Sequence, residues 1–370
     1  MFPPLLDIVA LALLSIHFSV ALAYYRYLKA YKNKSWQLKV DKEYRPYLTT
    51  IVPTYNEGQM IERRLDNLAS QEYPKDKQQI IVVDSASTDK TTLIVQDWLR
   101  ANPSMNGTLI SEPERNGKFK ALQRALTAVE PSSVAVVLTD ADAFWDPTAL
   151  GEVASFLADP EVGSVTGSIR YLDDPGAFSE DPYRTYFNAV RVAESKIHST
   201  PVHNGPLLAI RTEFLRKVGF PTFPGSDDSA FGSLVAFAGY RAIQADTAIV
   251  REYMRGNRLR RKIRRAACVL LNFYHTKNYA KKMHVYVRSK FETVWRMEWW
   301  LHVVNPWLLL AAIILLASQA ISGSLLASAV LLIGLLSLGL KSFRTWMLQQ
   351  VYLSLGALRS LWTDEAIWNR

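Results

Sequence analysis

The segment Leu48-Thr49-Thr50-Ile51-Val52-Pro53-Thr54-Tyr55-Asn56-Glu57 is a short β-branched run that closes in a proline and a polar turn. Three further apolar runs and two helix-like segments follow along the chain: 79–84, 134–139, 162–169, 60–71 and 118–129. Strands that read as continuous apolar runs are buried on both faces, which predicts an α/β domain with a mostly parallel sheet between helices. Because ligands of such sheets bind beyond the carboxyl ends of the strands, the polar residues that close each run are the candidate functional residues.

The composition excludes several classes of protein. The chain has 370 residues, of which 49% are hydrophobic and 21% charged, so intrinsic disorder is excluded. Its formal net charge of +9 suits an anionic partner, such as a phosphorylated substrate, an acidic lipid or a nucleic acid. The single cysteine, Cys268, excludes a disulfide framework and a thiolate zinc cluster.

Apolar segments near both ends predict membrane helices. Residues 2–25 contain Asp7 and His17 as their only strongly polar side chains, and 303–340 carry no formal charge. The first segment is long enough to cross a hydrocarbon core of about 30 Å, and we expect a retained anchor rather than a cleaved signal peptide. The turn Ser322-Gly323-Ser324 predicts a two-crossing hairpin, and the basic residues after the first segment predict a cytoplasmic domain.

These patterns predict five regions along the chain. They are an N-terminal transmembrane helix (1–27), a cytoplasmic α/β domain (28–250), basic and amphipathic interfacial helices (251–300), a transmembrane hairpin (301–341) and a C-terminal amphipathic or membrane-associated helix (342–370). For 343–362, the sequence leaves open whether the helix crosses the membrane or lies along it.

Polar residues that close the first two strands predict a nucleotide site. Tyr55 and Glu57 follow the first run, where they can frame a base or a sugar, although such a turn is also ordinary loop chemistry. Asp84 ends the second run, and its carboxylate can accept hydrogen bonds from a nucleobase or a ribose. The chain has neither a Gly-x-Gly-x-x-Gly sequence after a strand nor a P-loop, so those two phosphate cradles are excluded.

The sequence Asp140-Ala141-Asp142 follows the next run and predicts a divalent metal site. Two carboxylates one residue apart repel each other unless a cation lies beside them. Mn²⁺ or Mg²⁺ prefers one or two carboxylates and completes its shell with phosphate oxygens and water, which makes a nucleoside diphosphate the expected ligand. The alternative is an aspartate pair solvated in a turn.

Two later segments carry charges suited to group transfer. The paired acids Asp227 and Asp228 precede a helical stretch, 229–239, where the helix dipole favours them and where a carboxylate can also serve as a general base. Eight basic residues lie within 251–265 with Tyr253 as the single aromatic residue among them, too few for the interleaved pattern of a nucleic-acid site. They fit a lipid-facing patch, and three of them also fit a diphosphate clamp: Arg261, Arg264 and Arg265.

In order and spacing, these motifs resemble those of inverting family-2 glycosyltransferases with the GT-A fold, of the membrane-embedded, cellulose-synthase-like kind. The resemblance covers roughly 48–265. It is carried by Pro53-Thr54-Tyr55-Asn56-Glu57, Asp84, Asn116-Gly117-Lys118, Asp140-x-Asp142, Gly205-Pro206-Leu207, Gly225-x-Asp227-Asp228 and Arg261-x-x-Arg264. The family's Gln-x-x-Arg-Trp is replaced by Arg261-Lys262-Ile263-Arg264-Arg265, and the missing tryptophan, which commonly helps to hold the acceptor sugar in processive synthases, argues against chain elongation.

The resemblance implies a role for each motif. Donor binding is implied for Pro53, Tyr55, Glu57, Asp84, Lys118, Asp140, Arg261, Arg264 and Arg265. Asp142, with Asp140, is the implied ligand of Mn²⁺ or Mg²⁺. Asp228 is the implied catalytic base, with Asp227 beside it in the paired motif, and Gly205 and Asn204 are expected on the acceptor side.

These expectations combine into one predicted function: inverting, metal-dependent transfer of a hexose from a GDP- or UDP-linked sugar to a hydroxyl of a lipid-linked glycan or glycolipid. By analogy with mannosyl-transfer systems we favour mannose from GDP-mannose. The protein is expected in the cell membrane, multi-pass, with a cytoplasmic catalytic side; its partners are the donor, the lipid-linked acceptor and membrane lipids, with no nucleic acid. The alternatives are a polyprenyl-phosphate hexosyltransferase, a processive polysaccharide synthase and a non-enzymatic nucleotide-sugar sensor.

Overall fold

The computed structural model describes residues 4–115, 117–171, 181–221, 223, 225, 228–252 and 258–362. Contacts within the chain divide it into two compact units. The sheet unit comprises the described residues within Tyr31–Arg255 and Tyr274–Val294. The helical unit comprises those within Met1–Ala30, Gly256–Phe273 and Trp295–Asp364.

One mixed sheet organises the sheet unit. Its described strands are β1 (Leu48–Thr54), β2 (Gln78–Asp84), β3 (Asn106–Ser111), β4 (Ala135–Leu138), β5 (Ala143–Trp145), β6 (Val162–Tyr171), β7 (Leu208–Arg211) and β8 (Arg241–Glu252). They lie in the order β3-β2-β1-β4-β7-β6-β8-β5. β1 pairs in parallel with β2 and β4, β2 with β3, and β6 with β8, whereas β7 and β5 are antiparallel to their neighbours. The carboxyl ends of β1, β2 and β4 therefore meet at one edge, where ligands of such sheets bind.

Helices cover the sheet because their apolar residues recur at helical spacing. The helices of this unit are α2 (Ile61–Ala69), α3 (Thr91–Ala101), α4 (Lys118–Leu126), α5 (Ala149–Leu157), α6 (Asp181–Ile197), α7 (Thr212–Val218) and α8 (Asp228–Phe237). In α2, Ile61, Leu65 and Leu68 share one buried face and belong to the main core cluster. Every residue of β2 is buried, as expected for a central strand with both faces covered.

The predicted α/β fold is confirmed, and the four predicted strands correspond to β1, β2, β4 and β6. The other four strands were not predicted from the sequence. β5 and β7 have only three and four residues, which is too short for a periodic signal. β3 contains Asn106 and Gly107 and is only partly buried, because it lies at the edge of the sheet.

The helical unit contains the segments that are candidates for membrane crossing. Its helices are α1 (Pro4–Lys32), α9 (Arg258–Lys282), α10 (Phe291–Trp299), α11 (Asn305–Ile321), α12 (Leu325–Ser337) and α13 (Lys341–Ser360), with α9 and α10 shared between the units. Among the described residues, two stretches are long and apolar enough to cross a membrane, Leu5–Lys32 and Phe291–Ile321. A third candidate is the pair of α12 and α13, which are bent by 107° relative to each other.

The predicted hairpin of 301–341 differs from the observed helices in two respects. A π-helical turn, Trp300–Val304, joins α10 to α11, so the apolar span begins at Phe291 rather than at residue 301, within the region predicted as interfacial. The turn at 322–324 is present, but α12 has only 13 residues, about 20 Å of helix. That length is short of a hydrocarbon core of about 30 Å, so α12 alone is too short for the second crossing.

The polar residues of the first apolar segment connect helices within the helical unit. Ser324 Oγ donates to Asp7 Oδ2 over 2.8 Å, and His17 Nδ1 lies 2.9 Å from the carbonyl oxygen of Asn305. Trp346 Nε1 donates to His17 Nε2 over 3.0 Å. Because a carbonyl only accepts and an indole N–H only donates, the His17 proton is assigned to Nδ1. Asp7 and His17 therefore join α1 to α11, α12 and α13.

A close helix contact in the helical unit generates a stability prediction. A Cβ added to Gly356 of α13 would lie 2.8 Å from the backbone nitrogen of Ala267 in α9, whereas one added to Gly334 of α12 meets nothing within 4 Å. Gly356→Ala should therefore lower the free energy of unfolding by about 1–3 kcal/mol through overpacking. Gly334→Ala, the matched control, should be neutral or slightly stabilising because alanine is the better helix former. Thermal unfolding of both variants in detergent checks this, and equal midpoints would contradict the close packing.

Candidate active site

The loops that follow β1 and β2 are bonded to each other. The hydrogen bonds that join them include Asn56 N to Ser87 Oγ (2.8 Å), Thr88 N to Asn56 Oδ1 (2.8 Å), Glu57 N to Thr91 Oγ1 (2.9 Å) and Gly58 N to Asp89 Oδ2 (3.0 Å). Asn56 and Ala86 both have φ of 56°, a left-handed conformation that is strained for alanine. Such strain persists only where neighbouring contacts over-determine the backbone, as these bonds do.

Asp84 anchors this pair of loops. It is 2% exposed, and its carboxylate accepts four hydrogen bonds from neighbouring groups: Thr54 Oγ1, Ser87 N, Ser87 Oγ and Thr92 Oγ1. Asp84, which the sequence predicts to contact the nucleoside, therefore holds the conformation of the turn through these bonds. A direct contact with a base or a ribose stays a prediction.

The other predicted donor residues of the first strand end lie nearer the surface. Tyr55 is 37% exposed, and the guanidinium of Arg115 lies 3.9 Å from the centre of its ring. Glu57 and Pro53 are partly buried, and Pro53 lies within β1 opposite Val83 of β2. Tyr55 and Arg115 together offer a flat, positively charged surface of a kind that suits a nucleobase.

Three acids from two parts of the chain interact with one lysine. Lys118, the first residue of α4, donates to Asp140 Oδ1 over 2.8 Å, and its charge also interacts with Asp228 and Asp142. Burial by itself lowers the pKa of Lys118, but the three carboxylates outweigh it, so the pKa lies above its ordinary value and the ammonium stays charged. The motifs around 118, 140 and 228 therefore meet in one electrostatic cluster.

Asp228 lies at the start of α8 against bare backbone. The N–H of Gly205 donates to its carboxylate, and a Cβ on Gly205 would lie 2.0 Å from Asp228 Oδ2. Burial raises the pKa of Asp228 to about 6, and the negative charges of Asp140 and Glu252 add to this, while Lys118 and the Gly205 N–H act in the opposite direction. A carboxylate with a pKa near neutrality can both hold and release a proton at working pH.

A fully buried arginine lies behind the acidic strand end. Arg64 of α2 is 0% exposed, donates to Thr139 Oγ1 (2.7 Å) and Asn67 Oδ1 (2.6 Å), and stacks over the ring of Trp145 at 4.3 Å. Burial lowers its pKa to about 9, while Asp140 and Asp142 act to raise it, so it remains a cation at neutral pH. Thr139 Oγ1 and Trp145 Nε1 in turn donate to the carbonyl of Pro206, over 2.8 and 2.7 Å. This network ties Asp140 and Asp142 to the segment that supports Asp228.

Sequence reasoning missed Arg64, although a signal was present. It shares the apolar helix face of Ile61, Leu65 and Leu68, where a charged residue is out of place unless it has a buried partner.

Asn204, predicted on the acceptor side, is 6% exposed and bonded inside the sheet. Its side-chain amide donates to the carbonyl of Gly167 (2.9 Å) and to Gln244 Oε1 (3.3 Å), and its Oδ1 accepts from Arg191 (2.7 Å). These bonds fix the segment that carries Gly205, and an acceptor contact for either residue stays a prediction.

The remaining predicted site residues stay expectations. Asp227 lies outside the described residues, as does Asn116 of the Gly117-Lys118 motif. Three arginines of α9 lie within the helical unit, and their predicted contact with a diphosphate stays a prediction: Arg261, Arg264 and Arg265.

The donor set fits a metal that is shared with a phosphate ligand. Among the described residues, no group of three or more His, Cys, Asp or Glu side chains is arranged to hold a metal ion. Asp140 and Asp142 provide two carboxylates at one strand end, and oxygen ligands in this number suit Mn²⁺ or Mg²⁺ when phosphate and water complete the shell. The residues present therefore fit a metal brought together with a nucleoside diphosphate.

Comparisons with known proteins identify the family of the chain. Residues 49–219 match the model of glycosyl transferase family 2, and residues 135–341 match that of glycosyl transferase family group 2. Among solved structures, the chain is similar to the mannosyltransferase PcManGT from Pyrobaculum calidifontis, determined in complex with GDP-Man and Mn²⁺. The two are 39% identical with a TM-score of 0.85, over 96% of this chain and 99% of that one.

Curated relatives match over a smaller part of their length. Glycosyltransferase AglE of Haloferax volcanii is 29% identical over 48% of this chain and 56% of the relative. The poly-beta-1,6-N-acetyl-D-glucosamine synthase of Staphylococcus epidermidis is 23% identical over 56% of this chain and 50% of the relative. The chain thus spans about half the length of these two curated relatives.

The parallel strand ends and the acidic cluster beside them are features of a transferase domain of the GT-A type. With the family matches, the chain belongs to glycosyltransferase family 2 and is a glycosyltransferase. The non-enzymatic alternative is thereby set aside.

The Arg64 network generates a prediction for stability. Arg64→Met keeps much of the buried volume but removes the bonds to Thr139 and Asn67, which should lower the free energy of unfolding by about 1–3 kcal/mol. Arg63→Met, at the neighbouring exposed position, is the matched control and should change it by less than about 0.5 kcal/mol. Chemical denaturation of both variants measures the difference. If both lose the same free energy of unfolding, the buried hydrogen bonds of Arg64 do not stabilise the protein.

Proposed function

We propose that the protein transfers a hexose, mannose from GDP-mannose, to a hydroxyl of a lipid-linked glycan or glycolipid at the cytoplasmic face of the membrane, with inversion and with a divalent metal. The observation that carries the proposal is the cluster at Lys118, where Asp140, Asp142 and Asp228 act on one ammonium. It combines two acids suited to a metal-bound diphosphate with a third whose pKa is raised to about 6.

The choice of donor rests on similarity over nearly the whole chain. The mannosyltransferase whose structure was determined with GDP-Man and Mn²⁺ is 39% identical and covers 96% of this chain. We extend its donor and its metal to this protein, with Mg²⁺ as the other ion that the carboxylates suit. Asp142, with Asp140, would hold the ion, which when bound supplies Lewis-acid stabilisation of the departing diphosphate.

The chemical step assigns Asp228 the role of base. The acceptor hydroxyl oxygen forms a bond to the anomeric carbon from the side opposite the donor phosphate, while the bond from that carbon to the phosphate oxygen breaks. The hydroxyl proton goes to the carboxylate of Asp228, and the electron pair of the broken bond goes to the nucleoside diphosphate. Attack from the opposite side inverts the configuration. Lys118, held at Asp140, would offset negative charge on the donor side.

The acceptor class follows from the presence of a base. A polyprenyl phosphate is already ionised at neutral pH and needs no group to remove a proton, whereas a sugar hydroxyl does. The raised pKa of Asp228 therefore favours a hydroxyl acceptor over the polyprenyl-phosphate alternative. A processive synthase is less favoured because arginine replaces the tryptophan of the family's Gln-x-x-Arg-Trp pattern at Arg265.

The membrane location is supported by hydropathy and charge. The stretches Leu5–Lys32 and Phe291–Ile321 are long and apolar enough to span a bilayer. Four basic residues close to the end of the first stretch favour a cytoplasmic catalytic side under the positive-inside tendency: Arg26, Lys29, Lys32 and Lys34. A lipid-linked acceptor would then share the membrane with the enzyme.

Asp228→Asn tests the base. Transfer from GDP-mannose to an alkyl mannoside, used as a hydroxyl-bearing probe, should fall by about 10²–10⁴-fold, while GDP binding in the presence of Mn²⁺ changes little.

In the unsubstituted protein kcat/KM should fall about tenfold per pH unit below about pH 6, because protonation of Asp228 removes the base. The residual rate of Asp228→Asn should not show this fall at low pH. Asp97→Asn, at an exposed site of α3, is the control. Unchanged transfer in the Asp228 variant would exclude this residue as the base.

Asp142→Ala tests the metal site. Titration calorimetry of GDP with and without Mn²⁺ should show that Mn²⁺ strengthens binding to the unsubstituted protein and to Asp97→Ala. The Asp142 variant should lose about tenfold or more of this Mn²⁺-dependent gain, since a carboxylate ligand is absent. Equal Mn²⁺ enhancement in all three proteins would contradict the assignment.

A further inference from the structure

Two glycines lie where α8 meets the segment before β7. The first contact is the one at Asp228, whose carboxylate lies against the bare backbone of Gly205 and accepts its N–H. No side chain fits there, because a Cβ on Gly205 would come within 2.4 Å of the carboxylate carbon.

One helical turn further on, the contact is reversed. Gly232 of α8 presents bare backbone to the ring of His203, and a Cβ on Gly232 would lie 2.0 Å from Nδ1, 2.3 Å from Cε1 and 2.5 Å from Cγ. Positions 228 and 232 are four residues apart and therefore lie on the same face of the helix. Asp228, a side chain of α8, thus contacts Gly205 of the segment before β7. In the reverse arrangement His203, a side chain of that segment, contacts Gly232 of α8.

The His203 ring is fixed from its other side. It is 4% exposed, and its Nε2 lies 3.2 Å from Ser164 Oγ of β6. The next residue, Asn204, is bonded to the strand through Thr166, with its N–H donating to Thr166 Oγ1 over 2.9 Å. Ser233 Oγ adds a bond from α8 to the carbonyl of Pro201 over 2.9 Å. The segment is therefore rigid relative to the sheet, and α8 rests on it.

The His203 ring is held in its neutral form. Burial and the nearby charge of Arg191 lower its pKa to about 3. Within the described residues, Nδ1 has no hydrogen-bond partner, which leaves the contact with Gly232 as one of packing.

We infer that His203 is a positioning residue: its ring against Gly232 sets how closely α8 approaches the 203–205 segment, and so holds the Asp228 carboxylate at the Gly205 N–H and beside Lys118. The inference rests on the proposed role of Asp228 as the base. The positioning role of His203 explains why glycine stands at both 205 and 232, on opposite sides of the interface between α8 and the 203–205 segment.

Gly232→Ala is the first test. The added methyl would lie 2.0 Å from a buried ring that Ser164 holds on its other side, so we expect α8 to shift and carry Asp228 with it. We expect kcat for transfer from GDP-mannose to the alkyl mannoside to fall about 10²-fold, since a displacement near 1 Å has that effect, with GDP binding in Mn²⁺ within about twofold of normal. The lower limb of the pH profile should move to higher pH, because a weakened bond from Gly205 N–H no longer favours the ionised carboxylate.

A matched control and a second variant separate positioning from general damage. A Cβ on Gly107 of β3 would lie 2.3 Å from Leu99 Cδ2, against 2.0 Å from His203 at Gly232, so Gly107→Ala is a similar insertion far along the sheet order. It should leave kcat and the pH profile unchanged. The double variant His203→Ala/Gly232→Ala makes room for the methyl and should recover at least about tenfold of the lost kcat, a non-additivity expected only for groups in contact.

The outcomes distinguish the inference from the proposed function. If Asp228→Asn loses transfer but Gly232→Ala keeps a normal kcat and pH midpoint, the positioning role is wrong and the base stands. Additive losses in the double variant would also overturn the positioning role. If Gly232→Ala does not fold, His203→Ala alone must still lower kcat and shift the pH midpoint for the inference to survive. Normal transfer in Asp228→Asn would remove the proposed base and the inference with it.

Discussion

Like charges gathered around one lysine are the constraint on which the sheet unit of this chain depends. Asp140, Asp142 and Asp228 repel one another, and the cations that offset this repulsion are Lys118 among them and Arg64 buried behind Thr139. The two cations act differently. Lys118 contacts a carboxylate directly, so it compensates charge where the donor is expected to bind. Arg64 reaches the strand end only through a hydroxyl, so it supports the backbone that carries Asp140 and Asp142 while adding a diffuse positive potential.

The fold brings these groups together through close backbone contacts rather than long side chains. The carbonyl of Pro206 accepts from both Thr139 and Trp145, which fixes the segment before β7 against the end of β4. The adjacent Gly205 then presents its N–H to Asp228. The acid that is proposed as base and the acids that are proposed for the metal are thus joined through one short segment. Displacing this segment would alter both sides of the site together.

Much of the architecture was predictable because it depends on patterns that a single segment displays. Apolar runs identified β1, β2, β4 and β6, and the acids that close them identified the acidic edge. Arg64 could have been found as a charge on an apolar helix face. The contact of His203 with Gly232 could not, since it joins residues 29 positions apart (232 − 203) whose fit shows only in three dimensions. The same applies to β5 and β7, which form only because strands distant in sequence pair with them. It applies also to the π turn at Trp300–Val304, which joins α10 to α11 across a boundary that hydropathy placed elsewhere.

The bonded pair of loops after β1 and β2 has a consequence for the speed of the enzyme. Backbone groups at Asn56, Glu57 and Gly58 are already engaged by side chains of the second loop, and Asp84 holds that loop from below. A nucleotide bound here, as the sequence predicts, would meet a surface that these bonds already order. The entropy of ordering this surface is lost once, when the chain folds, and not again at each turnover. In that case no further ordering of these loops would slow the arrival or departure of the nucleotide.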